Sequence, residues 1–114
     1  MNECPFCQII AGQRKASIIY EDPRVVAFRD INPQAPTHIL IVPTKHISSL
    51  NEIETEDHEL LGYLLDVARS IAEKEGIGKE GYRLVLNCQR RAGQSIFHLH
   101  FHLLGGRGMG WPPG

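Results

Sequence analysis

Between Phe97 and Leu103 the chain reads Phe-His-Leu-His-Phe-His-Leu, and this alternation constrains the fold more than any other segment. A strand turns successive side chains to opposite faces. His98, His100 and His102 would then share one face, with rings ~6–7 Å apart, while Leu99, Phe101 and Leu103 share the other. On a helix the same residues fan around the axis and no face is apolar. The segment therefore predicts a strand from Ile96 to Leu104, ended by Gly105-Gly106, with one buried side and one imidazole side. Imidazoles facing a cleft suit an anionic ligand, because a neutral ring is a nucleophile and a protonated ring donates hydrogen bonds to phosphate oxygens. A solvated strand face and a plain row of metal ligands fit the same spacing.

The rest of the chain supplies a sheet for that strand. Apolar residues at 6, 9 and 10 before Gly12 predict a short helix over Cys4 to Ala11. Ile18-Ile19-Tyr20 and Val25-Val26-Ala27-Phe28 flank an Asp-Pro turn and read as a hairpin. The prolines of Asn32-Pro33 and Ala35-Pro36 make a shaped loop, and His38 to Pro43 is a third strand. From Thr55 to about Glu75, Leu60, Leu61, Leu64, Leu65, Val67, Ala68, Ile71 and Ala72 recur at helical spacing, after Glu56, Asp57 and Glu59 in the first turn. Tyr82 to Asn87 alternates like a strand. The order of helix, three strands, helix, two strands predicts an α+β fold with a five-stranded, largely antiparallel sheet.

With 114 residues, one domain over 1–114 is expected, with a Gly- and Pro-rich tail at 105–114. Twelve basic against thirteen acidic residues give a net charge of −1, which argues against affinity built on neutralising many nucleic-acid phosphates. The longest apolar run, Ile39 to Pro43, is far short of a membrane helix. The N-terminus has no secretory-signal pattern, so a cytoplasmic location is expected. Three cysteines, an odd number, argue against a disulfide framework: Cys4 and Cys7 form a Cys-x-x-Cys pair open to metal or redox chemistry, and Cys88 reads as a packed bystander.

His98-Leu99-His100-Phe101-His102-Leu103-Leu104 resembles the motif of the histidine triad (HIT) family. The likeness extends to Phe28 through His38, Pro43-Thr44-Lys45-His46-Ile47-Ser48, Asn87, Gly93-Gln94-Ser95 and the Trp111-Pro112-Pro113-Gly114 ending, all similar to the Hint branch. The resemblance implies a purine nucleoside phosphoramidase that cleaves the P–N bond of adenosine 5′-phosphoramidates. His100 is then the nucleophile, and its imidazole is substantially neutral near physiological pH. His102 contacts the phosphate or helps protonate the leaving group, and His38 backs the triad in a proton relay. Ser95 lies near the leaving group, with Gly93 and the amide of Gln94 or Ser95 cradling phosphate oxygens. Asp30 takes the ribose hydroxyls, Asn87 makes a second sugar or phosphate contact, and Phe6, Ile9, Phe28 and Ile31 line an apolar slot for the purine. Leu40 is a weaker candidate for the same slot.

The resemblance also implies a homodimer formed through paired helices and edge strands, in which the Trp111 tail reaches the partner subunit's site. It implies no catalytic metal, but a structural zinc held by Cys4, Cys7, His46 and His98, a donor set suited to tetrahedral zinc, with orienting the triad as the other role for His98. His58 has no role and is expected in solvent. Arg14-Lys15, where the family often has Ile-Pro, and Arg90 and Arg91 beside the phosphate loop bear on leaving-group preference. The rival readings are a dinucleoside polyphosphate hydrolase and a non-catalytic, zinc-bearing nucleotide-binding adaptor.

Overall fold

A computed structural model describes residues 3–114. Its elements are α1 (Pro5–Ile10), β1 (Ile18–Glu21), β2 (Val25–Arg29), β3 (Thr37–Pro43), α2 (His58–Lys74), β4 (Tyr82–Val85) and β5 (Phe101–Gly105), with 3-10 turns at Leu50–Glu52, Thr55–Asp57 and Arg90–Ala92. The five strands form one sheet in the order β1-β2-β3-β5-β4, and every neighbouring pair is antiparallel. The α+β class and the two helices agree with the sequence.

The period of two along β2, β3 and β5 sorts the sheet into two apolar layers. Val25, Ala27, Ile39, Ile41, Phe101 and Leu103 face α2, where Leu64, Val67, Ala68, Ile71 and Ala72 cover them. Val26, Phe28, Leu40 and Val42 face the other way and are covered by Phe6 and Ile9 of α1. A six-residue helix is not stable alone, so α1 holds its shape through this packing and its ends. Pro5 opens it, and the Cys4 sulfur accepts the Cys7 N–H at 3.4 Å.

The last strand is shorter than the alternation predicts. β5 begins at Phe101, so His98 and His100 lie before it instead of within it. The reason is on the neighbouring strand. The β3–β5 ladder stops at Ile41 opposite Phe101, and two residues further along β3 stands Pro43, which has no N–H to donate. The chain leaves the ladder there, and the Leu99 N–H goes instead to the Ile47 carbonyl at 2.6 Å. β4 stops at Val85, opposite His102, because it has no strand to pair with beyond that point. At the other end Gly105 still belongs to β5, so the tail starts at Gly106. Among the described residues no helix is long and apolar enough to cross a membrane.

Candidate active site

Four of the six histidines gather under α1: His38 and His102 on the sheet, and His98 and His100 on the segment that leads into β5. His38 on β3 and His102 on β5 are diagonal neighbours across the ladder, His38 opposite Leu104 and His102 opposite Leu40, with His38 Nε2 2.9 Å from His102 Nδ1. His100 lies beside His102, ring centres 5.0 Å apart, and Phe6 stands edge-on to His100 at 5.0 Å and to Phe28 at 5.3 Å.

Backbone groups assign the ring protons. A carbonyl can only accept, so His100, whose Nδ1 is 2.7 Å from the His98 carbonyl, carries its proton on Nδ1 and keeps the lone pair on Nε2. His98 likewise donates from Nε2 to the Pro43 carbonyl at 2.8 Å. His38 Nδ1 accepts the Gln34 N–H at 3.0 Å, so its proton is on Nε2 and is donated to His102 Nδ1. The neutral His102 ring then holds its own proton on Nε2. One ring thus offers a nucleophilic nitrogen and its neighbour an N–H donor, the pair that attack on a phosphorus centre and support of its oxygens require. Burial keeps these rings neutral: it lowers His38 and His100 below the ordinary imidazole range and His102 to about 4. The His100 and His98 hydrogen bonds to carbonyls favour the protonated form but do not outweigh burial.

The loop before the triad is built around Gln94. Its buried side chain accepts the Gln89 N–H through Oε1 at 2.8 Å and donates through Nε2 to the carbonyls of Ser48 at 2.8 Å and Ile96 at 3.1 Å. Gln89 has φ 76, unusual for a non-glycine residue, and this bond helps to hold it there. Gly93 at φ 100 closes the turn in a conformation that only glycine adopts readily. The Gly93 and Gln94 N–H groups are already donated, to the Arg90 and Gln89 carbonyls, and of the residues expected to cradle phosphate Ser95 is exposed. The Gln94 side chain points inward and is unavailable to a ligand. Asn87 flanks this turn: a Cβ added to Gly93 would lie 3.8 Å from its Nδ2.

Asp30 follows β2 and stands beside the histidines. Oδ1 accepts the Asn32 N–H at 2.8 Å, and Oδ2 is 3.3 Å from His38 Nε2. Phe6 and Ile9 of α1 and Phe28 and Leu40 of the sheet are buried together in one apolar layer, whereas Ile31 is 98% exposed and lies outside it. Trp111 is 83% exposed, on a tail tied to β4 by the Arg83 guanidinium, which donates to the Gly110 carbonyl at 2.9 Å. His58 is exposed.

A second cluster adjoins the triad. Cys4, Cys7, His46 and His98 bring their sulfurs and ring nitrogens together. His98 Nδ1 is 3.4 Å from the Cys4 sulfur, 3.5 Å from that of Cys7 and 3.1 Å from His46 Nδ1, which is 3.3 Å from the Cys7 sulfur. A tetrahedral zinc with these ligands has donor-to-donor edges of about 3.3–3.8 Å, so the four side chains fit such an ion. The His98 bond to the Pro43 carbonyl is the outer contact that commonly orients a ligating histidine.

Sequence reasoning did not find the groups that set the tautomers: the Gln34 N–H and the carbonyls of His98 and Pro43. The Pro33 to Pro36 loop was the only signal for the first, since a rigid turn is a means of aiming a backbone donor.

Residues 11–109 match the HIT domain family model. The chain is 49% identical over 108 residues to the purine nucleoside phosphoramidase of Escherichia coli K12, covering 95% of this chain and 91% of that one. Among solved structures it is similar to a HIT family hydrolase from Legionella pneumophila, with TM-score 0.97, 50% identity and coverage of 98% and 100% of the two chains. A HIT family hydrolase from Clostridium thermocellum gives TM-score 0.93 at 47% identity, covering 96% of each. With this matched length, identity and histidine geometry, the chain belongs to the HIT domain family.

Proposed function

We propose that this chain is a purine nucleoside phosphoramidase that hydrolyses adenosine 5′-phosphoramidates to AMP and the amine. The observation that carries the reading is the His100 ring, fixed by the His98 carbonyl with its lone pair on Nε2, beside the His102 N–H donor. Relatives about half identical over nearly the whole chain, one of them a purine nucleoside phosphoramidase, support the substrate class.

In the first step His100 Nε2 bonds to the α-phosphorus as the P–N bond breaks. The electron pair of that bond goes to the departing nitrogen, which takes up a proton from solvent and leaves as the amine. In the second step water attacks the phosphorus and gives up one proton to solvent, balancing the one the amine took up, the P–Nε2 bond returns its pair to His100, and AMP is released. The His102 N–H and the Ser95 loop would support the phosphoryl oxygens, and Asn87 the sugar or phosphate. The test compares wild type with His100→Asn on an adenosine phosphoramidate, following AMP release and acid-labile phosphohistidine. A loss of about 10³-fold or more and no phosphohistidine are expected, and equal turnover would overturn the assignment.

Cys4, Cys7, His46 and His98 would hold a structural zinc, which would fasten α1 to the sheet. Metal analysis of protein purified without a metal-affinity tag should find about one equivalent per chain, falling sharply in Cys7→Ser. Less than about a tenth of an equivalent in the wild type counts against the site. We further propose a homodimer. The edge position of β4, its half-buried side chains and the tail that Arg83 holds beside it favour a second copy on this edge, with Trp111 reaching over. Light scattering at twice the chain mass is the expected result.

A further inference from the structure

Asp30 is placed to do more than bind a sugar. His38 Nε2 has one hydrogen and faces two acceptors, His102 Nδ1 at 2.9 Å and Asp30 Oδ2 at 3.3 Å. The other edge of His38 is held by the Gln34 N–H at 3.0 Å, and the ring is only 4% exposed, so it has little freedom to turn. Asp30 is itself braced, because Oδ1 accepts the Asn32 N–H. Its side chain is 19% exposed, which leaves part of the carboxylate open toward solvent, where a ligand can reach it. Asp30, His38 and His102 bring an oxygen and two nitrogens within 4.8 Å of one another.

Resting on the phosphoramidase reading, we propose that Asp30 is a positioning residue for the reaction: together with the Gln34 N–H on the opposite ring nitrogen, its carboxylate steadies the Nε2–H of His38, and the two contacts fix His102 as the Nε2–H donor toward the phosphoryl oxygens. A carboxylate against an imidazole N–H selects tautomer and orientation without giving up or taking a proton. No proton leaves Asp30 or His38 in this scheme. The same carboxylate is the one expected to meet the ribose, so sugar binding and the histidine pair share one group. The charge of Asp30 also reaches all three rings. Burial lowers the proton affinity of His38, His100 and His102, and Asp30 opposes it at each.

Two measurements test the proposal. Asp30→Asn keeps an oxygen for the Asn32 N–H and removes the charge beside His38, and Asp30→Ser serves if the first variant folds poorly. The first measurement compares each protein on an adenosine phosphoramidate and on its 2′,3′-dideoxy counterpart. In the wild type, loss of the hydroxyls should raise KM and leave kcat within about threefold. Asp30→Asn should lower kcat about tenfold or more on both sugars. If Asp30 acts only through the ribose, the variant will match the wild type on the dideoxy substrate, and the proposal fails. The second is a ring-nitrogen NMR spectrum of the ligand-free proteins, which needs no turnover. His102 should be a single Nε2–H tautomer in the wild type and a mixture in Asp30→Asn. Unchanged His102 nitrogen shifts in the variant also overturn the proposal. A wild type inactive on both substrates would instead count against the phosphoramidase reading, and the spectrum would still decide the role of Asp30.

Discussion

The side chain of Gln94 lends itself to a quantitative test, because its three hydrogen bonds can be removed in different combinations. Gln94→Ala deletes all three, to the Gln89 N–H and to the Ser48 and Ile96 carbonyls; at about 1 kcal/mol each the cost is about 3 kcal/mol. Gln94→Glu keeps an acceptor for the Gln89 N–H but aims a carboxylate oxygen at two carbonyls. At pH 7 the buried group relieves that repulsion by taking a proton, which costs a carboxyl of ordinary pKa about 3.7 kcal/mol at most. It then donates one O–H where Gln donated two N–H, a further loss of about 1 kcal/mol. The folded-state pKa of the introduced carboxyl is therefore raised, so the variant gains stability as pH falls toward the unfolded value near about 4.3. At about pH 4.5 the protonation cost shrinks to about 0.6 kcal/mol. The order of stability should invert: Gln94→Glu at or below Gln94→Ala at pH 7, and above it at pH 4.5. Urea denaturation of the three proteins at both pH values, at equal protein concentration and metal content, measures this. A Gln94→Glu variant more stable than Gln94→Ala at pH 7, or a difference that does not move with pH, would refute the inward orientation of Gln94.

Other expectations follow from single contacts. A Cβ at Gly105 would lie 2.5 Å from Ile77 Cδ1 and 3.1 Å from its Cβ, so Gly105→Ala should cost about 1–3 kcal/mol, and adding Ile77→Val, which removes Cδ1, should recover part of it. Thermal melts of the single and double variants check this, and simple additivity would contradict it. At Asp22 burial raises the carboxyl's pKa, but the hydroxyls of Tyr20 and Tyr63 and the amides of Arg24 and Val25 outweigh it and lower the group to about 2. This stabilisation is present above the unfolded value near about 3.9 and lost as pH falls toward about 2. With solvent screening, Asp22→Asn should cost about 1 kcal/mol at pH 7, and the gap should shrink to about a third of that by about pH 2.5 in urea titrations. Because burial holds His38 below the ordinary imidazole range and His102 at about 4, kcat/KM should stay level from about pH 8 down through about 6.5 and fall only below it. A midpoint at about 6.5 would show that the histidine pair is solvated.

Much of the architecture was legible because it rests on periodicity. The alternation that placed Leu40 and Val42 opposite Ile39 and Ile41 is the same one that puts His38 and His102 under α1. What periodicity does not carry is backbone hydrogen bonding. Nothing in the residue types says that the Gly93 and Gln94 N–H groups are spent within their own turn, or that Gln94 faces inward. The Tyr20, Asp22 and Tyr63 cluster joins a hairpin to α2 across 41 positions of chain, a distance at which sequence patterns give no signal. Ile31 departs from expectation for a related reason: an apolar residue next to Asp30 looks like part of a slot, but the turn closed by the Asp30 bond to the Asn32 N–H leaves it outside.

The departure of His98 and His100 from the strand is also what separates their tasks. In a continuous ladder the His98 carbonyl or the Leu99 N–H would be committed to a neighbouring strand, and the three rings would sit in equivalent settings. Pro43 ends the ladder, and its own carbonyl takes the His98 Nε2–H. That bond turns the opposite ring nitrogen of His98 toward Cys4, Cys7 and His46, while its backbone carbonyl fixes His100. One residue therefore joins the sulfur-nitrogen cluster to the His100 ring. An ion bound there would hold His98, and through its carbonyl the orientation of His100, without entering the chemistry. His102, still in the ladder, is left to His38 and Asp30. Three residues that are equivalent in the sequence motif differ in the folded chain because a proline two positions beyond the last paired residue of β3 stops the strand between the second and the third.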